Sequence, residues 1–201
     1  DWIADYLEAL TLGEDLKMKT LLAWIKRFYI GLREEKGLKG QALTLIGEVG
    51  SGKSFFSAML GELCGGEISG TPHFTKEGRF TNHLFQPVIT LDDPPPPRDK
   101  RAYRLFCAEV KTWIANPSLY CEAKGEGAGK VKWAGRIVIT VNSDPDSASA
   151  IPRIGEDTAD KHIVMTAGKF SGFREPSENI AILRKELPAF AAYLLKFQAP
   201  D

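Results

Sequence analysis

The chain has 201 residues, 43% hydrophobic and 26% charged, a balance that excludes a disordered chain and allows a core without disulfides or metals. Lys plus Arg and Asp plus Glu number 26 each, so no global field advertises nucleic acid or membrane, and any basic surface must be local. No apolar run approaches the ~20 residues of a membrane span, and no signal peptide is expected. Cys64, Cys107 and Cys121 show neither CxxC nor Cys/His spacing and read as reduced cytosolic thiols, two of them buried. A chain that opens on Asp1 rather than Met is expected to be one domain of a longer protein.

Residues 1–33 read as helical. Trp2, Tyr6 and Leu10 recur at helical spacing, and after Gly13 so do Leu21, Ile25, Phe28 and Leu32. The basic, Gly-containing stretch 34–40 is a connector, which makes residues 1–39 an N-terminal helical segment and residues 40–201 the main domain. Residues 42–46 are a short apolar run of the kind that forms a buried parallel strand. Helical periodicity resumes over 53–63 and stops at Gly65 and Gly66. Residues 88–91 are a second buried strand, closed by Asp92, Asp93 and a run of prolines. A helix is expected over 99–115, ending ahead of Asn116 and Pro117.

Residues 119–122 and 130–133 flank a Gly-rich turn and read as a hairpin. Residues 136–141 are a third buried strand and 162–166 a further short one. Two terminal helices are expected, over 178–186 and 188–197, with Pro188 at the start of the second. Strands alternating with helices predict an α/β fold: a parallel sheet with flanking helices and helical segments at both ends.

Gly47, Glu48, Val49, Gly50, Ser51, Gly52, Lys53 and Ser54 fit G-x-x-x-x-G-K-[ST], the phosphate loop of P-loop NTPases, with Phe55 following. Its glycines let the backbone wrap around phosphates, Lys53 neutralises the β/γ oxygens, and the Ser54 hydroxyl coordinates Mg²⁺. A strand before the motif and an amphipathic helix after it argue against a chance Gly-rich turn. No Asn-Lys-x-Asp guanine-reading motif occurs, so ATP is preferred over GTP.

Asp92 and Asp93 end an apolar strand as a Walker B pair does. Asp92 is the expected Mg²⁺ ligand, through water, and Asp93 the group that orients the attacking water. Asn142 tips the third strand, where an amide can reach the γ-phosphate or hold the lytic water. The basic cluster Arg98, Lys100, Arg101 and Arg104 opens a helix, where positive charge is unfavourable; it is either a subunit interface or a solvated face. Tyr103, Phe106, Trp113 and Trp133 read as packing residues, and His73, His83 and His162 lack ligand spacing.

The order of phosphate loop, acid pair, Gly-rich hairpin and Asn142 on a strand resembles the superfamily 3 helicases, AAA+ ATPases of viruses, phages and plasmids. The chain is most similar to the C-terminal domains of phage primase-helicases: residues 135–145 are close to their motif C, and residues 186–190 to their closing segment. The likeness covers residues 40–195. It implies an ATP-driven hexameric ring on single-stranded or fork DNA, acting in replication in the bacterial or phage-infected cytoplasm, and leaves open whether a primase-polymerase domain precedes it in the same full-length chain. It implies a basic finger reaching a neighbour's γ-phosphate, Lys161 by position, with Arg153 as the competitor. It also implies that the hairpin lines the channel, with Lys124, Lys130 and Lys132 on the strand, the last two sharing one face. A nucleotide-controlled protein switch and a small-molecule kinase are the competing classes; DNA stimulation of the ATPase separates them from a translocase.

Overall fold

The computed structural model describes residues 1–34, 39–75, 84–116, 118–121, 129–145, 147–156 and 158–199. Most of the connector, the hairpin tip with Lys124, and His83 lie outside the described residues.

Helix α1 (Trp2–Leu10) buries Ile3, Tyr6, Leu7 and Leu10, one face at helical spacing. The chain breaks at Leu12 and Gly13, both at positive φ, before α2 (Asp15–Arg33) buries Leu21, Trp24, Ile25 and Phe28. Strand β1 (Ala42–Gly47) follows, then α3 (Lys53–Cys64), which ends on Gly65 in the left-handed conformation (φ 93°). Next come β2 (Glu67–Ser69), the short helix α4 (Thr71–Phe74), β3 (Val88–Asp92) and α5 (Lys100–Ala115), whose first turn is capped by the Asp99 carboxylate. The hairpin is β4 (Ser118–Cys121) with β5 (Gly129–Lys132), shifted by one residue from the expected spans. Strands β6 (Arg136–Asn142) and β7 (His162–Thr166) precede the closing helix α6 (Pro176–Lys196).

The main sheet is parallel, in the order β2-β3-β6-β1-β7, and the β4–β5 hairpin stands as a separate antiparallel sheet. The fold is therefore the expected parallel sheet flanked by helices. Both faces of the central strands are covered, which is why they read as unbroken apolar runs. Leu43, Leu45 and Val138 pack on one side with α1, α2, α3 and α6. Ala42, Ile89, Leu91, Ile137, Ile139 and Val141 pack on the other with Phe74, Phe106, Val110 and Trp113. The N-terminal helices thus share a hydrophobic cluster with the sheet.

Three expectations are corrected. The two terminal helices are one, with Pro188 inside it. Proline removes the bond to the carbonyl four residues back, but Pro188 and Arg184 face solvent while Leu183, Leu187 and Leu194 hold the core face across the break. The edge strand β2 was not expected: it is short, with an exposed–intermediate–exposed pattern, and so lacks the apolar run of its neighbours. The three cysteines are all half-buried. Trp113 and Trp133 are packing residues, 2% and 6% exposed.

Candidate functional site

β1 delivers the chain at Gly47, and α3 carries it away from Lys53. Between them Gly50 and Gly52 take φ of 74° and 99°, a region that side chains with a Cβ rarely enter. Gly52 has a second constraint, since a Cβ there would lie 2.6 Å from the Phe173 ring. Among the described residues the N–H groups of Gly52, Lys53 and Ser54 find no acceptor, so donors and helix dipole face one concavity. Lys53 is 7% exposed, and its ammonium donates to the carbonyls of Gly47 (2.9 Å) and Glu48 (2.8 Å) and to Ser51 Oγ (3.3 Å). Burial lowers its pKa, while Asp92 and Asp93 pull it back up.

The two acids arrive on β3, and β6 lies between β3 and β1. In register, Asp92 stands beside Thr140, and Gly47 beside Asn142. Ser54 Oγ donates to Asp92 Oδ1 at 2.8 Å, and Thr140 Oγ1 donates to the same oxygen. Asp93 sits at φ 42°, a sparsely populated conformation for a residue with a Cβ, and its N–H donates to the Thr140 carbonyl at 2.9 Å. That turn presents its carboxylate to Asn142, whose Nδ2 donates to Asp93 Oδ2 at 2.9 Å. Asn142 Oδ1 lies 3.5 Å from Lys53 Nζ. The inserted strand therefore puts Asn142 between the lysine and the second acid.

Lys53, Ser54, Phe55, Asp92, Asp93 and Asn142 all line one cavity of about 540 Å³, closed on its far side by Phe173, Pro176 and Ile180. The free N–H groups, the lysine and the left-handed glycines fit a polyphosphate. Ser54 Oγ and the Asp92 carboxylate are hard oxygen donors on one edge of that cradle. They fit Mg²⁺, which takes one or two protein oxygens and fills its shell with water and phosphate. Among the described residues no group of three or more His, Cys, Asp or Glu forms a metal cage.

Several contributors escaped the sequence reading. Tyr6 is fully buried and its hydroxyl donates to the Gly52 carbonyl at 2.9 Å, tying α1 to the loop. Trp2, Tyr6, Phe55, Phe170 and Phe173 stack edge-to-face behind it. Asn179, 5% exposed, fixes the turn before α6 by accepting from Arg174 N–H and donating to its carbonyl, both at 2.9 Å. Glu186 accepts from the N–H groups of Trp2 (3.2 Å) and Ile3 (3.0 Å), capping α1 from α6. Thr140 had a visible signal: it shares a strand face with Asn142 by the period of two in an otherwise aliphatic run. The others had none, because their partners are remote in sequence.

The two candidate fingers line two different clefts, neither of them this cavity. Lys161 precedes β7 beside the start of β1, the length of that strand, roughly 20 Å, from Gly47, and pairs with Asp160 at 2.8 Å. Arg153 is exposed and lines a different cleft, of about 500 Å³, with Cys107, Lys111 and His162. On the hairpin Lys130 and Lys132 are both exposed and alternate with the half-buried Val131, so they share a face; Lys130 lies over the Tyr120 ring at 5.5 Å. Arg98, Lys100, Arg101 and Arg104 are exposed.

Residues 45–153 match the family described as "Family of unknown function (DUF5906)". The chain belongs to this family. Within the DUF5906 match lie Lys53, Ser54, Asp92, Asp93 and Asn142, while Lys161, Phe173 and α6 lie beyond it. No curated protein matches the sequence. Among solved structures, the apo NrS-1 C-terminal region (305-718) superposes with a TM-score of 0.75 at 18% identity, over 98% of this chain and 46% of that one. An A-form apo structure of the same region gives 0.71 at 20% identity, over 98% and 45%. JCV helicase bound to a small molecule gives 0.41 at 14% identity, over 96% and 50%, too low to argue from. The DUF5906 chain thus spans less than half the length of the NrS-1 region, and at these identities the likeness shows the shared fold.

Proposed function

We propose that this chain is the ATP-hydrolysing domain of a nucleic-acid helicase or translocase of the superfamily 3 type. The observation that carries the reading is the convergence of Lys53, Ser54, Asp92, Asp93 and Asn142 on one cavity from three strand ends. The loop N–H groups and Lys53 bind the β- and γ-phosphates, the lysine trading its carbonyl acceptors for phosphate oxygens. Ser54 and Asp92 would hold Mg²⁺, which would supply charge neutralisation to the phosphates. Asp93 orients the attacking water and takes its proton as oxygen bonds to the γ-phosphorus and the bridging bond to ADP breaks. Asn142 holds that carboxylate in place through its 2.9 Å bond, and its amide would contact the γ-phosphate.

The finer reading is a homo-hexamer on single-stranded DNA, acting in replication in the cytoplasm and joined to a primase-polymerase domain in the full-length protein. Among the described residues no helix is long and apolar enough to cross a membrane. The distance of Lys161 from its own phosphate loop supports action on a neighbour's nucleotide; Arg153 is the second candidate. The exposed, same-face Lys130 and Lys132 support a strand-gripping hairpin, to which Lys124 would add. Measuring ATP turnover with and without single-stranded DNA tests the whole: DNA should stimulate it several-fold, and a rate indifferent to DNA would leave a nucleotide-controlled switch instead. Lys130→Ala should flatten the log–log salt dependence of single-strand binding by about 0.7 while basal turnover stays unchanged.

A further inference from the structure

The opposite edge of the sheet holds a second charged cleft, of about 480 Å³. Arg27 from α2, Lys39 and Gly40 ahead of β1, and Asp160 and Lys161 ahead of β7 line it. Three cations thus face one carboxylate, and Asp160 is already paired with Lys161 at 2.8 Å.

Directly behind Gly40 lies Arg136, 2% exposed. A Cβ on Gly40 would come within 2.6 Å of the guanidinium, so glycine here lets the charge sit against the cleft wall. Arg136 Nη1 donates to the carbonyls of Ala134 (3.1 Å) and Gly135 (3.0 Å), and the group lies 5.0 Å from the Phe28 ring. Its Nε has no partner among the described residues, and no described carboxylate pairs with it. Burial and the charge of Arg27 pull Arg136 down to about 10, and burial and the charge of Arg136 pull Lys39 down to about 8. At neutral pH both still carry charge. A desolvated cation with more cations beside it is unfavourable unless an anion completes it.

We propose that this cleft is an anion site that takes a phosphate group between Arg27 and Lys39, backed by the buried charge of Arg136. A guanidinium fork and an ammonium suit phosphate oxygens in number and spacing, and an excess of positive charge suits a dianion. The site stands independently of the phosphate loop, which lies at the other end of the strands.

The test uses the intact chain carrying Lys53→Ala, so that the phosphate loop contributes no signal. Acylation of Lys39 is followed by mass spectrometry near pH 7.5 in inorganic phosphate, in pyrophosphate, in a single-stranded oligonucleotide, and in chloride of equal ionic strength. An anion in the cleft raises the Lys39 pKa, so its reactivity should fall about tenfold per unit regained, while exposed Lys196 stays unchanged. Arg27→Gln, at an exposed position, should abolish the protection. Protection by phosphate or pyrophosphate assigns a free anion, and protection by the oligonucleotide at far lower concentration assigns a nucleic-acid backbone. Equal reactivity in phosphate, pyrophosphate, oligonucleotide and chloride, or protection that survives Arg27→Gln, would overturn the site.

Discussion

At the C-terminal edge of the sheet, buried Lys53 faces Asp92 and Asp93, and every one of these charged groups has a hydrogen-bond partner. At the N-terminal edge Arg136 is at least as buried, its neighbouring charges are Arg27 and Lys39, and its Nε has no partner among the described residues. The first edge is preorganised: a ligand need only replace one set of acceptors by another, so geometry is held in its absence. The second edge carries an excess of one sign that the described fold does not neutralise. Parallel strands explain why the two problems separate, since all strand tips of one polarity gather at one end.

The widest contrast is expected at the first edge. Lys53→Ala should lower ATP hydrolysis by at least about 100-fold, since no other loop side chain brings charge to the β/γ bridge; phosphate release at near-normal rate would remove the phosphate-site reading. Asp93→Asn should keep nucleotide binding through Lys53, Ser54 and Asp92, yet slow single-turnover hydrolysis by roughly 100-fold. If instead it loses binding while Asp92→Asn retains it, the two acids have exchanged roles.

A milder substitution probes how the first edge is held. Tyr6→Phe deletes the 2.9 Å bond to the Gly52 carbonyl and leaves the ring packing. It should cost about 1 kcal/mol in urea unfolding and weaken nucleotide binding; an unchanged midpoint would mean that α1 does not brace the loop.

The smallest effect belongs to the second edge. The Lys39 pKa is depressed in the folded chain, so the unfolded chain binds more protons between about 8 and the ordinary lysine value. Stability should therefore rise slightly as pH climbs through that window, with the burial penalty fully present below about 8. Lys39→Gln should shrink the rise to the part that depressed Lys53 contributes with the same sign, and an unchanged slope would place the titration on another group.

How far the sequence reached depended on whether the decisive contacts are local. The Gly-rich loop is contiguous from Gly47 to Ser54, and its flanking strand and helix follow from periodicity, so its place at a strand end was legible. Asp92, Asp93 and Asn142 were legible as polar ends of apolar strands, although not that β6 lies between β3 and β1. Pro188 misled because local propensity favoured a helix start, whereas the buried Leu183, Leu187 and Leu194 carry one helix through it.

The sequence by itself determined the α/β alternation, the strands buried on both faces, and the contiguous Gly-rich loop between a strand and a helix, because each is encoded in neighbours a few positions apart. Only the tertiary structure decided that Tyr6 and Phe173 brace Gly52, that Glu186 caps α1, and that Arg136 is buried against Gly40. Those contacts join residues remote along the chain, set by strand order and helix packing, and no local pattern of residue types specifies which remote partner a side chain will meet.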